Sequence, residues 1–226
     1  MMDNKTVCEL IINDLKSQSN EANLAGMKRF GIDTENAFGV KIPVLRNIAK
    51  RHKNNHDLAL LLWETSYHEA RLLASFIADP NKASPELIDA WISGFKSWDL
   101  CDQCCGYFLQ TQWAYEIIDW YAQDERTFYK RTAFSMIARL AVHDKKREHE
   151  EFLKFLPIIE AASTDDRNMV KKAVNWALRQ IGKRNSILLP ATLELAEKLK
   201  KSDNKTAHWI GLDAYRELNS VCKNRI

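Results

Sequence analysis

Two side chains that could together stabilise a positive charge lie one helical turn apart near the middle of this 226-residue chain. Ser97 is a residue type that caps helices, so the sequence predicts a helix that begins at Trp98. Trp98 and Asp102 are then close enough in sequence to share one helical face. An indole ring beside a carboxylate suits a cationic ligand. The alternative places Trp98 in the core and Asp102 on the surface or at a cap, and the spacing alone favours that alternative.

A second candidate group combines cations with one tryptophan in the C-terminal half. Lys172, Trp176, Arg179 and Lys183 recur at offsets that predict a stripe on one helix face. Another face of the same helix carries the apolar residues Val170, Val174, Leu178 and Ile181. Cations interleaved with an exposed aromatic ring suit phosphate contact and base stacking, and Arg131 in a separate basic segment adds a further cation. An accidental arrangement on the surface is the alternative.

The distribution of charge is more informative than its sum. The formal net charge is only +3, but residues 1–125 carry −6 and residues 126–226 carry +9. Such asymmetry indicates a basic face in the C-terminal half that meets an anionic partner. A solvated surface of lysine and arginine without a partner is the other interpretation.

The spacing of two cysteines is compatible with a metal centre, but the rest of the sequence does not supply the other ligands. Cys101 and Cys104 have the spacing of half a zinc site, but a closed site needs four ligands and the sequence has no second pair. Together with Cys105 they follow helical spacing, which favours packed thiols. The histidines show no local pattern that would activate a cysteine, and no glycine-rich phosphate loop is present. We therefore predict neither a metal nor a cofactor.

The sequence also predicts a cytoplasmic protein. Its start is polar and lacks the apolar segment of a signal peptide, and no apolar run approaches the length of a membrane span. The odd number of cysteines argues against a secreted disulfide framework and favours reduced thiols; the five are Cys8, Cys101, Cys104, Cys105 and Cys222. A membrane partner is not expected.

The elements that position these residues are predicted to be helical. Apolar residues recur at helical spacing nearly throughout, and only seven glycines and five prolines are present, which disfavours a β-sandwich or barrel. Residues that can cap helices mark four starts, at Asp57, Ser84, 164–166 and Ser186. We expect about a dozen helices joined by short connections, with no linker between domains.

Weak internal similarity points to a repeat architecture. Three segments share a basic residue, then a small residue and an apolar helical face, and the intervals from Ala133 to Ala173 and from Ala173 to Ala207 are 40 and 34 residues. Such periods are typical of two-helix solenoid repeats. The prediction is an all-α fold, an α-α superhelix of HEAT-like antiparallel helix pairs that forms one domain over residues 1–226. A compact helical bundle is the alternative.

The order and spacing of these landmarks resemble the DNA alkylation repair glycosylases of the AlkD type, over most of the chain. The resemblance is carried by residues 26–31 (GMKRFG), 39–46 (GVKIPVLR), 96–98 (KSW) followed by Asp102, 130–133 (KRTA) and 172–179 (KAVNWALR). It implies a superhelix of HEAT-like repeats whose basic concave surface holds alkylated duplex DNA. Nothing in the sequence demands more than a monomer.

The resemblance implies hydrolysis of the N-glycosidic bond of cationic N3- and N7-alkylpurines, without the base flipping used by most glycosylases. Asp102 would stabilise the sugar cation and orient water, with Trp98 and Trp176 flanking the sugar and backbone. The residues expected to contact the DNA backbone are Arg131, Lys172, Arg179 and Lys183.

The sequence departs from the best-studied type of the family at two places. No aromatic residue stands near Gly26, in the stretch 24–27, and Trp98 is followed by Asp99 instead of a second tryptophan. Two other functions fit the same fold class. One is a DNA-binding or damage-sensing protein without catalysis. The other is a protein-interaction solenoid, in which Trp98 and Trp176 would be buried.

Overall fold

The computed structural model describes residues 2–223, of which the last two are described by their backbone only. Its regular structure is entirely helical, which confirms the predicted all-α class. The α-helices are α1 (Asn4–Ser17), α2 (Glu21–Arg29), α3 (Ile42–Lys50), α4 (His56–Glu64), α5 (His68–Ile77), α6 (Pro85–Ser93), α7 (Trp98–Phe108), α8 (Ala114–Tyr121), α9 (Thr127–His143), α10 (His149–Leu153), α11 (Phe155–Ala162), α12 (Asn168–Arg184), α13 (Leu189–Lys200) and α14 (Lys205–Lys223). Within residues 2–223, no helix combines the length and the apolar character needed to cross a bilayer.

Side-chain caps decide where several helices begin. Ser84 is confirmed as the cap of α6, because its hydroxyl oxygen accepts the N–H of Leu87 at 3.2 Å. Asp57 is not the cap of α4. Asn55 takes that place, since its side-chain oxygen accepts the N–H of Leu58 at 3.1 Å, and the helix therefore begins before Asp57.

Contacts divide the described chain into two compact units, between Trp113 and Ala114. The first unit contains α1–α7 and has an aromatic core in which Trp63 and Trp91 stack with ring centroids 4.3 Å apart. The second contains α8–α14, and its long helices α9 and α12 pack along each other. The single domain over residues 1–226 stays a prediction.

A buried carboxylate shapes the connection between α2 and α3 in the first unit. Glu69 is fully buried and accepts the backbone N–H groups of Phe38 at 2.9 Å, Gly39 at 2.7 Å and Val40 at 3.2 Å. Gly39 has a φ of +77°, and a Cβ atom there would lie 2.5 Å from the carbonyl oxygen of Asn20. The connection therefore requires glycine at this position and a hydrogen-bond acceptor on α5.

Cross-helix pairs in the second unit show the repeat directly. Each of three pairs between α12 and α14 is separated by 38 residues: Lys171 with Trp209, Asn175 with Asp213, and Arg179 with Glu217. Because the partners advance together along both helices, α12 and α14 run in the same direction. This separation lies between the two predicted repeat intervals of 34 and 40 residues. Helix α13 is the returning helix between α12 and α14.

Candidate functional site

Helix α7 carries the first candidate pair. The helix begins at Trp98 as predicted, and Trp98 and Asp102 are both half-buried, so neither belongs to the core. The indole Nε1 of Trp98 donates to the carbonyl oxygen of Phe30 at 3.0 Å, which ties α7 to the segment that follows α2. Ser97 stands at the N-cap position, but its hydroxyl donates to the Asp99 carboxylate at 2.7 Å instead of accepting a helical N–H.

An ion pair beside Trp98 was missed by the sequence analysis. His68 on α5 and Asp99 on α7 meet with Nε2 and Oδ2 2.9 Å apart, and both are largely buried. Burial lowers the pKa of His68, but the hydrogen bond and charge of Asp99 outweigh it and the pKa is raised. Burial likewise raises the pKa of Asp99, yet the bonds from His68 and Ser97 lower it overall. The pair favours the charged form of each partner and holds the start of α7 against α5.

Trp98 borders an open pocket of about 580 Å³ in the first unit. The His68–Asp99 pair lies in the same pocket lining, and so do Gly26 and Phe30. A Cβ atom at Gly26 would meet open space, whereas the side chain of Phe30 is 72% exposed. An aromatic side chain is therefore present in this lining one helical turn after the stretch 24–27 that lacks one.

The second candidate group lies on α12. Its predicted apolar stripe, Val170, Val174, Leu178 and Ile181, is fully buried. On the other side of the helix Lys172 is exposed and Trp176 is half-buried. Gln180 lies on the same helix, and in the amide orientation that satisfies its partners its side-chain oxygen accepts from Trp176 Nε1 and from Lys183 Nζ at 3.1 Å each. The structure thus brings Trp176 and Lys183 together on one polar face.

Two carboxylates of α14 oppose these cations, and the sequence analysis did not anticipate them. Glu217 accepts hydrogen bonds from both Arg179 and Lys183, and Asp213 lies 3.8 Å from Arg179 Nε. Burial raises the pKa of Glu217, but the bonds from Lys183 and Arg179 lower it overall. The α12 stripe is therefore partly neutralised. Asp213 and Glu217 stand one turn apart in the sequence, yet only the packing of α14 on α12 reveals their partners.

Arg131 was expected to contact a phosphate, but its side chain is buried. Its side chain is 5% exposed and Nη1 donates to the carbonyl oxygen of Met169 at 2.6 Å, across the contact between α9 and α12. The adjacent Lys130 pairs with Asp165 at 3.1 Å, and hydrogen bonds from Arg167 and Lys130 lower the pKa of Asp165 to about 2. The phosphate contact of Arg131 stays a prediction.

The cysteines of α7 are structural in position. Cys101, Cys104 and Cys105 are fully buried, and Cys8 is buried in α1. The Cys222 side chain lies outside the described residues. Among residues 2–223, no group of three or more histidine, cysteine or acidic side chains is arranged to hold a metal ion.

The predicted site residues thus fall into two sets. Trp98 and Asp102 share α7 in the first unit. Those of the second unit are Arg131 on α9 and, on α12, Lys172, Trp176, Arg179 and Lys183.

Comparison with known proteins bears on both fold and function. The family model of the DNA alkylation repair enzyme matches residues 11–217. A solved structure with a TM-score of 0.78 and 23% identity covers 95% of this chain and is itself covered to 95%. That protein is described as belonging to a new family related to the HEAT-like repeat DNA glycosylases, with affinity for branched DNA structures. The structural similarity confirms the predicted HEAT-like repeat fold. No match was found among curated proteins.

Proposed function

The chain belongs to the DNA alkylation repair enzyme family, and from that premise we propose that it hydrolyses the N-glycosidic bond of cationic N3- and N7-alkylpurines in duplex DNA, without base flipping. The observation that carries the proposal is the half-buried pair of Trp98 and Asp102 on α7. An accessible carboxylate one turn from an indole ring is the arrangement that a developing sugar cation needs. The proposal includes action as a monomer in the cytoplasm.

The chemistry requires little from the protein besides electrostatics. An alkylated purine already carries positive charge, so the electron pair of the breaking C1′–N bond neutralises the base as it departs. The sugar becomes an oxocarbenium-like cation, which the carboxylate of Asp102 stabilises. Water then adds to C1′ and loses a proton, and Asp102 is the group proposed to orient it. Trp98 and Trp176 contribute the negative faces of their rings.

Backbone contacts hold the DNA in this proposal. Lys172 is exposed on α12 and forms no ion pair within the described residues 2–223, so it is the most accessible phosphate ligand of the predicted set. Arg179 and Lys183 supply two further donors once a phosphate competes with Glu217 for them. Arg131 supports the same surface through its bond to Met169 and is proposed to contact a phosphate as well.

The proposal is tested by the release of 7-methylguanine and 3-methyladenine from methylated duplex DNA. We expect the purified protein to release both bases at a rate well above spontaneous depurination, because the carboxylate replaces bulk water around the sugar cation. Binding to undamaged duplex is measured on the same sample. A folded protein that binds this DNA and releases neither base would refute the glycosylase.

Replacing Glu217 with glutamine is expected to strengthen binding to undamaged duplex, on the order of three- to tenfold at low salt. The change removes a negative charge and releases Arg179 and Lys183 from a charged acceptor. The logarithmic dependence of affinity on salt should become steeper by about one counterion. The matched control is Glu197→Gln, which breaks a surface pair between Glu197 on α13 and Lys201, the residue that follows this helix. Unchanged or weaker binding by Glu217→Gln would show that α12 does not contact phosphate.

A DNA-binding protein without catalysis is the second candidate, and the relative with affinity for branched DNA structures favours it. The release assay separates it from the glycosylase. A protein-interaction solenoid fits less well, because that function predicts buried Trp98 and Trp176 and both are half-buried.

A further inference from the structure

Trp209 on α14 is an aromatic residue that the proposed glycosylase does not use. Its side chain is 39% exposed, and only Trp120, at 44%, is comparably exposed among the seven tryptophans of the chain. An indole left in contact with water forgoes a large part of its burial energy. The exposed ring is therefore suited to bind a partner that has a flat apolar face.

The charges around Trp209 identify the chemistry of that partner. The ammonium group of Lys171 lies 5.5 Å from the centre of the ring, within the range of a cation–π contact. Lys205 stands one turn before Trp209 on α14 and Lys172 is adjacent to Lys171, and both are exposed. The nearest acid on α14, Asp213, is held by Asn175 at 2.7 Å and lies near Arg179. The surroundings of the ring are thus predominantly cationic.

Trp120 provides a contrast within the same unit. It is as exposed as Trp209, but Glu116 lies one turn before it on α8 and Asp119 is adjacent to it in the sequence, and both acids are exposed. A polyanion would be repelled there and attracted to Trp209. Exposure alone therefore does not distinguish the two rings, whereas charge does.

We propose that Trp209 and Lys171 form a stacking site for an unpaired base of single-stranded DNA, with Lys171, Lys172 and Lys205 contacting its phosphates. Aromatic rings beside cations bind single strands in this way because every base has a face to stack and every nucleotide carries a negative charge. Bases within a duplex are stacked on each other, so the ring contributes little to duplex binding. The inference does not rest on the proposed glycosylase activity.

The test measures binding of a fluorescently labelled oligothymidylate, which does not form duplex, and of an undamaged duplex. Trp209→Ala should weaken oligothymidylate binding at least about fivefold and leave duplex binding within about twofold. Lys171→Gln should also weaken oligothymidylate binding and reduce its dependence on salt. Stacking should quench tryptophan fluorescence in the wild type and less in Trp209→Ala.

The matched control is Trp120→Ala, which removes an equally exposed ring from an acidic surface and should bind both DNA forms as the wild type does. Thermal unfolding of each variant confirms that the fold is retained, as expected for exposed positions. Three results would overturn the inference: no oligothymidylate binding by the wild type, equal binding by the wild type and Trp209→Ala, or an equal loss of duplex binding.

Discussion

Asp102→Asn is expected to reduce the release of 7-methylguanine by about a hundred- to a thousandfold, the loss typical of a missing electrostatic contact to a transition state. Asparagine has nearly the same shape, so the packing of α7 is preserved, but it carries no negative charge. The oxocarbenium-like sugar then lacks its counter-charge, and water is oriented less well. Single-turnover release from methylated duplex measures the effect.

Binding to undamaged duplex should not weaken in Asp102→Asn, because an acidic side chain does not attract a polyanion. Asp14→Asn makes the same chemical change at an exposed position of α1 and should release the base as the wild type does. A rate of release by Asp102→Asn within a few-fold of wild type would remove Asp102 from the mechanism. A loss of both binding and thermal stability would instead assign Asp102 a structural role.

Glu69→Gln should lower the free energy of unfolding by about 2–3 kcal/mol. The glutamate accepts three backbone N–H groups with its two oxygens, whereas glutamine offers one oxygen and one amide nitrogen. Whichever way the amide turns, at least one buried donor of the 38–40 segment faces another donor. Gly39 and Val40 line the pocket beside Trp98, so the segment should also become more susceptible to proteolysis.

Urea unfolding of Glu69→Gln measures this loss. Glu64→Gln is the matched control, since Glu64 is exposed at the end of α4. This substitution should lower the free energy of unfolding by less than about 0.5 kcal/mol. Glu69→Ala should cost more than Glu69→Gln, because it leaves all three N–H groups without an acceptor. Equal stability of Glu69→Gln and the wild type would contradict the role assigned to these bonds.

Local periodicity was enough to predict several parts of the candidate site. The start of α7 at Trp98 and the one-turn spacing of Trp98 and Asp102 follow from a capping residue and helical periodicity, which involve only neighbouring residues. The stripe on α12 could be predicted in the same way, since four buried apolar residues on one face leave the opposite face to Lys172 and Trp176. The helical class depends on the same local pattern, whereas the two-helix repeat was predicted from the recurrence of similar segments at intervals of 40 and 34 residues.

Other features required the packing of helices that are distant in sequence. His68 and Asp99 are 31 residues apart and meet only because α5 packs against α7. Arg179 and Glu217 are 38 residues apart, and their pairing changes a predicted cationic stripe into a partly neutralised one. Arg131 lies in a basic segment, but its burial depends on the register of α9 against α12, which local sequence does not specify.

The sequence by itself therefore determined the helices, the faces they bury and the identity of the charged and aromatic residues on the remaining faces. Helical spacing encodes these properties because each depends on residues within two turns of one another. Only the tertiary structure decided which charges are paired and which rings are exposed. Glu217 beside Lys183 and Lys171 beside Trp209 are set by the register between α12 and α14, and that register is a property of the packed core.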